Sequence, residues 1–172
     1  MSPARKGGTR LPAGTVVSIE YEPGRECFAM VLEDPLVAFF DYSTERNTQT
    51  PISEIVGKPI AFKIWVMKYA ITGKLWPVVG QGPVPTELQP LPWFYKKDAL
   101  NGKIYRTKMG GGGDFESSLA EIEGLECAAV WDPEHVVDRL KDHFAGRANK
   151  WLEILKAKLH RLAPASGLPD LK

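Results

Sequence analysis

The sequence has little that would support a disulfide framework or a membrane anchor. Its 172 residues include two cysteines, Cys27 and Cys127. Such isolated cysteines are typical of reduced thiols in the core of a cytosolic protein, and the alternative of a disulfide between them stays open. No apolar run approaches the ~20 residues that a membrane helix needs, and the basic start of the chain lacks the apolar centre of a signal peptide. We therefore expect a cytoplasmic protein without a membrane partner.

Metal and phosphate sites also lack their usual patterns. The three histidines are His135, His143 and His160. The first two are eight positions apart on one predicted helix, a rise of ~12 Å that is too long for one ion. The glycine run 110–113 is followed by Asp114, whose charge repels phosphate, so a hinge is the better interpretation. We expect no metal and no cofactor.

The net charge of +1 is small, but the charge is strongly segregated along the chain. Residues 15–57 carry −6 and residues 58–109 carry +7, while residues 110–140 carry −7 and residues 141–172 carry +4. Either neighbouring strands neutralise one another, or a charged patch recruits an oppositely charged protein. The small overall charge argues against a dedicated nucleic-acid binder, although the basic strands in 58–109 keep that alternative open.

Alternating and continuous apolar runs predict a mainly antiparallel sheet. Pro23-Gly24 predicts a turn between the first two strands. Ile60–Ile71 has apolar groups on both faces and is interpreted as a central strand. The predicted strands are Thr15–Glu22, Cys27–Leu32, Leu36–Tyr42, Ile60–Ile71, Lys74–Val79 (forming a hairpin with the preceding strand), Gly102–Thr107 and Leu125–Trp131.

Three helices are predicted towards the C-terminal end. Asp114 is a candidate cap for a short helix that places Phe115, Leu119 and Ile122 on one stripe and ends at Gly124. The strand Leu125–Trp131 leads into the strongest helix signal, in which Asp132 is the cap, Pro133 takes the first position and Gly146 ends the helix. An amphipathic helix over Ala148–Ala163 follows.

These elements predict an α+β fold, a curved antiparallel sheet of six or seven strands with helices clustered at the C-terminal end. The domain organisation predicted is a flexible leader over residues 1–13, one domain over residues 14–163 and a flexible tail over residues 164–172. The oligomeric state stays open.

Several of these segments resemble the immunity protein 26 family of bacterial polymorphic-toxin systems. The resemblance is carried by Ala-Val-Trp-Asp-Pro-Glu-His-Val-Val-Asp-Arg-Leu at 129–140, and by Gly14–Val17, Leu36–Asp41 and Gly73–Gly80. It covers roughly Gly14 to Arg147. It implies a cytoplasmic protein, active in bacterial competition, that binds one cognate toxin domain and blocks it as an antitoxin without catalysing a reaction.

An enzyme is the main rival from another class. In a small hydrolase, Cys127 would be the nucleophile and His135 the base that activates it, while Asp132 would orient His135. Asp132 is already explained as a helix cap, however, and Cys127 lies within a predicted strand. We interpret His135 as a structural partner of nearby backbone or of Glu126. The carboxylates Glu20, Glu22, Asp34 and Asp41 are scattered and give no acid–base pair.

The candidate partner-binding residues fall in two groups. The acidic group is expected on the short helix that follows the glycine hinge. The aromatic group lies in a proline-rich loop, where it either covers the edge of the core or anchors a partner. The acidic residues are Asp114, Glu116, Glu121 and Glu123, and the aromatic residues are Trp93, Phe94 and Tyr95.

Overall fold

The described residues form two sheets, and the larger one has six strands. A computed structural model describes residues 10–110 and 112–160 of the chain. The strands follow the spatial order β10-β4-β3-β2-β1-β5, in which β10 pairs with β4 in parallel and the other neighbours are antiparallel. They are β1 (Thr15–Glu22), β2 (Arg25–Glu33), β3 (Leu36–Glu45), β4 (Ile60–Val66), β5 (Val78–Gln81) and β10 (Val130–Trp131).

The smaller sheet has four short strands in the order β8-β7-β6-β9. Its inner pair, β6 and β7, is antiparallel, whereas β6 and β9 are parallel. The strands are β6 (Phe94–Lys97), β7 (Ile104–Thr107), β8 (Asp114–Glu116) and β9 (Glu126–Cys127).

The described ranges, 10–110 and 112–160, contain four α-helices, and the two longer ones lie at the C-terminal end. They are α1 (Ile52–Ile55), α2 (Tyr69–Thr72), α3 (Pro133–Phe144) and α4 (Lys150–His160), and two 3₁₀ turns cover Thr86–Leu88 and Ala120–Ile122. The predicted α+β fold with helices at the C-terminal end is thus confirmed. None of the helices in residues 10–110 and 112–160 has the length and apolarity that crossing a bilayer requires.

The larger sheet is buried on both faces because its central strands carry apolar side chains in both directions. On one face, Phe39 and Ile64 belong to a cluster with Val136 and Leu140 of α3. On the opposite face, a second apolar cluster joins the sheet to α1, β6 and the 3₁₀ turn at Thr86–Leu88. The core residues of this second cluster include Met30, Phe40, Ile55, Leu88 and Phe94.

Several local predictions are confirmed. Gly24 takes a positive φ of 77° in the turn between β1 and β2. The Asp132 carboxylate accepts a hydrogen bond from the Glu134 backbone N–H at 2.9 Å, so Asp132 caps α3 as expected. Gly146, with φ of 65°, follows the end of the helix. Cys27 and Cys127 are both free thiols.

The predicted hairpin after the central strand is wrong. The strand β4 ends at Val66, and residues 69–72 form α2 instead of continuing it. The chain then passes to the far edge of the larger sheet, where β5 pairs with β1 and not with β4. Gly73 still ends its element, but the element is a helix.

Two predictions near the C-terminal end are also wrong. The segment predicted as one strand, Leu125–Trp131, is divided into β9 and β10, which belong to different sheets. The short helix predicted from Asp114 is absent, because 114–116 form the edge strand β8 and 120–122 form a 3₁₀ turn. Ile122 is buried as expected, whereas Phe115 is 49% exposed.

Parts of three other predictions lie outside the described residues. These are residues 1–9 of the leader, residues 161–163 of the last helix and the tail over 164–172.

Candidate partner-binding surface

The three neighbouring aromatic residues have different environments. Phe94 and Tyr95 lie in the strand β6 and not in the predicted loop, and both are buried. The Phe94 ring packs 4.7 Å from the ring of Trp65, so Phe94 covers the core. Trp93 precedes the strand and is half-buried. Of the three, Trp93 is therefore the residue with a side chain partly available at the surface.

Trp93 belongs to a surface group that we call the Trp93 cluster, formed by Trp93, Arg106, Lys108 and Phe115. The Trp93 and Phe115 rings pack edge to face, with their centroids 5.6 Å apart. The Lys108 ammonium lies 4.6 Å from the Trp93 ring centroid, and the Arg106 guanidinium lies 5.6 Å from it. Such cation–π contacts hold the indole in place while part of it remains in solvent.

Three of the four acidic candidates form ion pairs with cations. Lys96 donates to Asp114 at 2.5 Å, and Lys103 donates to Glu116 at 2.7 Å. Their cationic partners lie on or beside the antiparallel strands β6 and β7. Neighbouring strands thus neutralise part of the segregated charge, which was one of the two interpretations of the pattern.

Glu121 lies in the 3₁₀ turn Ala120–Ile122, and Glu123 directly follows it. Glu121 accepts hydrogen bonds from the backbone N–H and the hydroxyl of Ser118, and its carboxylate lies 3.9 Å from the Arg106 guanidinium. Glu123 has no ion pair within the described parts of the chain and lines an apolar groove beside α4. The structure gathers Asp114, Glu116 and Glu121 near the smaller sheet, and whether they bind a partner stays a prediction.

Hydrogen bonds stabilise the ionised form of two of these carboxylates. The Lys96 ammonium, and secondarily the Thr107 hydroxyl, lower the pKa of Asp114 from its ordinary value. The backbone N–H and the hydroxyl of Ser118 lower the pKa of Glu121. Both groups are therefore anionic at neutral pH.

The three residues of the hydrolase alternative each have a different partner. The second carboxylate oxygen of Asp132 accepts a hydrogen bond from the Tyr69 hydroxyl at 2.9 Å. The His135 ring stacks on the Trp151 ring with centroids 3.6 Å apart, and within the described residues it has no hydrogen bond to backbone or to Glu126. Burial raises the pKa of the Cys127 thiol, which disfavours the thiolate that a nucleophile needs.

No group of three potential metal ligands occurs among the side chains of residues 10–110 and 112–160.

A polar cleft of about 620 Å³ is a feature that sequence reasoning missed. It opens over β1 and β2, between the segments 46–50 and 75–79. Glu20 and Glu26 face each other directly across these two strands. The signal in the sequence was Glu26 itself, an acidic residue at the start of a long apolar strand.

The sequence model of one protein family, described as Immunity protein 26, matches residues 12–106. Three of the four segments that carried the resemblance, Gly14–Val17, Leu36–Asp41 and Gly73–Gly80, lie inside this match. The fourth, at residues 129–140, lies beyond it. Comparisons with curated proteins and with solved structures returned no significant match.

Proposed function

Since the chain belongs to the immunity protein 26 family, we propose that it binds one cognate bacterial toxin domain and neutralises that toxin by protein–protein contact. The family match is the observation that carries this proposal. We further propose that the protein acts in the cytoplasm, as the immunity partner in a polymorphic toxin system, and that it blocks the toxin without catalysis.

We propose that the Trp93 cluster and the edge strand β8 form the contact surface. A tryptophan that is partly exposed and already held by neighbours loses little side-chain freedom on binding, and tryptophan is enriched among residues that dominate binding energy. Phe94 and Tyr95 support this surface from the core side, whereas Trp93 and Phe115 are available to the toxin.

The four carboxylates Asp114, Glu116, Glu121 and Glu123 are proposed as the charged rim of this surface. Charges at a rim act mainly on the rate of encounter and on the choice of partner. A toxin that acts on a polyanion would have a basic cleft, and lysine or arginine side chains of such a cleft would compete with Lys96 and Lys103 for the carboxylates.

The nucleic-acid alternative is weakened by the same ion pairs. The cations of the smaller sheet that would contact phosphate, Lys96, Lys103 and Arg106, lie beside carboxylates. A nucleic-acid binder would also show retention on a polyanion column that falls steeply with salt. A hydrolase using His135 would need the Trp151 stack to open before the ring met a substrate.

The test is protection in cells combined with isolation of the complex. The cognate toxin domain, identified by capture on the purified protein, is expressed in a sensitive bacterium with and without this chain. We expect the intact chain to restore growth and to co-purify with the toxin. Trp93→Ala should weaken binding by at least ~10-fold, as expected for a central anchor, whereas Leu100→Ala should leave binding unchanged because Leu100 is 90% exposed and outside the surface. Failure of the intact chain to protect would contradict the proposal.

A further inference from the structure

The floor of the polar cleft over β1 and β2 contains buried groups that accept hydrogen bonds. Glu26 is 9% exposed and Ser18 is 8% exposed. Both line the cleft together with Glu20, Arg46 and Thr50. Both side chains lie deep in the cleft but keep part of their polar surface accessible from it.

The partners of these groups are incomplete. One carboxylate oxygen of Glu26 accepts a hydrogen bond from the Asn47 backbone N–H at 3.0 Å. Within residues 10–110 and 112–160, the second oxygen of Glu26 and the hydroxyl of Ser18 have no hydrogen-bond partner. The hydroxyl of Thr50 is buried and is likewise unpaired in the described part of the chain.

The cleft also carries more negative than positive charge. Glu20 lies directly across the strands from Glu26, and like charges in this position repel. The cation that lines the cleft, Arg46, pairs with Glu20 at 2.8 Å. Glu26 therefore has no cationic partner among the described residues, and one negative charge in the cleft remains uncompensated.

One wall of the cleft is apolar. Phe28 lies at its base, and Leu75, Pro77 and Val79 line one side. An occupant that suits both the floor and this wall has an apolar stem and a cationic head with several N–H donors. Arginine fits this description, because its guanidinium carries five donors and its planar face packs on aromatic rings.

We propose that this cleft receives an arginine side chain of the partner protein, with its guanidinium against Glu26 and Ser18. The identity of the partner as a toxin rests on the proposed function, but the chemistry of the cleft does not. The site is an anchor for one side chain and lies apart from the Trp93 cluster in sequence and in sheet.

The first experiment uses a small probe and needs no toxin. Nα-acetyl-arginine amide is titrated into the purified protein up to tens of mM, the range expected for a single-side-chain ligand with a Kd of about 1 mM or weaker, and backbone amide resonances are followed by NMR. The neutral isostere Nα-acetyl-citrulline amide is the control probe. We expect saturable shifts at Asn47 with the arginine derivative, with at least tenfold weaker binding of the citrulline derivative.

Variants of the protein test whether the arginine derivative binds in this cleft. Glu26→Gln keeps the shape of the side chain and its contact with Asn47 but removes the charge, and should abolish binding of the arginine derivative. Ser18→Ala, a second variant on a different strand, should weaken it. The matched control is Glu45→Gln, since Glu45 is an exposed carboxylate on β3 outside the cleft. Equal binding of both probes, or saturable binding unaffected by Glu26→Gln, would overturn the proposal.

The second experiment uses the cognate toxin domain and separates this inference from the proposed function. Glu26→Gln should lower toxin affinity at least tenfold, and one toxin arginine changed to lysine or alanine should reproduce that loss without adding to it in the Glu26→Gln background. If the intact chain protects against toxin but Glu26→Gln binds it equally well, the arginine anchor is wrong and the proposed function stands. If the arginine derivative binds but the chain protects against no toxin, the proposed function is wrong.

Discussion

The Arg139 guanidinium on α3 forms two hydrogen bonds to the Glu126 carboxylate on β9, at 2.5 and 3.1 Å. Arg139 is 6% exposed, and its guanidinium lies 3.8 Å from the ring centroid of Phe62 and 5.1 Å from that of Trp131. The pair links the smaller sheet to the helix that covers the larger one. The pair therefore holds in place the segment from β9 to β10, which connects the two sheets.

Breaking this pair from one side should destabilise the protein strongly. Glu126→Ala leaves a buried guanidinium without its anion, and we expect a loss of ~3–5 kcal/mol in the free energy of unfolding. Replacing both partners together, with Glu126→Leu and Arg139→Met, should cost less than Glu126→Ala alone, because no buried charge remains. Urea unfolding of the variants measures both effects. A double variant less stable than Glu126→Ala alone would contradict this view.

The cap of α3 gives a smaller expected effect. Asp132→Ala should lower the free energy of unfolding by ~1 kcal/mol, the usual cost of losing a helix cap. Asp132→Asn is the matched control, because an amide oxygen can still accept from the Glu134 N–H, and it should be close to the unaltered chain. Toxin affinity of folded Asp132→Ala protein should be unchanged. Full stability together with lost protection would instead assign Asp132 to the functional site.

Sequence reasoning succeeded where neighbours along the chain decide the structure. Asp132, Pro133 and Gly146 act within one helix, so their chemistry alone marks its start and end. The loop residues Pro23 and Gly24 are a further example. These signals do not depend on which distant strand lies beside them.

The wrong predictions share a different cause, which is pairing between distant segments. Phe115, Leu119 and Ile122 have helical spacing, but β8 gains backbone hydrogen bonds by pairing with β7, and the Phe115 ring packs against Trp93. Nothing within residues 114–123 indicates that pairing. The cleft was missed for the same reason, because Glu20 and Glu26 become neighbours through the register of two strands.

His135 should be dispensable for protection. Its ring stacks on Trp151, so His135→Ala should cost ~0.5–1.5 kcal/mol of stability through the lost aromatic pair, while protecting cells as well as the unaltered chain. His135→Phe restores a stacking ring without a titratable nitrogen and should recover most of the stability. If both variants fold and bind toxin but neither protects, the hydrolase alternative gains support.

Acid should weaken the attachment of α4. The indole N–H of Trp151, with a further contribution from Lys150, lowers the pKa of Asp138 below its ordinary value of 3.8. A carboxylate with a lowered folded-state pKa contributes stability that is complete above the ordinary pKa and is lost as the pH falls through the folded-state pKa.

The measurement is the free energy of unfolding between about pH 6 and pH 2 for the unaltered chain and for Asp138→Asn. The difference in the free energy of unfolding between the two proteins should be largest at the upper end of this pH range. It should shrink as the pH falls below the ordinary pKa of 3.8. A difference that stays constant over this range would contradict a contribution from the ionised Asp138 side chain.

Charge reversal tests the proposed rim. Changing Glu116, Glu121 and Glu123 to lysine should slow association with the toxin more than it speeds dissociation. High salt should narrow the difference in association rate between the variant and the unaltered chain, since the Debye length falls to ~3 Å at 1 M. The control reverses three other exposed carboxylates, Glu22, Glu87 and Glu153, which carry the same total charge away from the rim. Equal association rates for the two triple variants would place the contact surface elsewhere.

The most direct test of neutralisation by contact is a titration of toxin activity with this protein. The purified cognate toxin domain is held at a concentration far above the expected Kd, and its remaining activity is measured against the molar ratio of added protein. Stoichiometric binding predicts a linear fall that reaches its floor at one equivalent, with no further loss over time. Progressive inactivation of many equivalents of toxin by a small amount of protein would show catalysis and contradict the account.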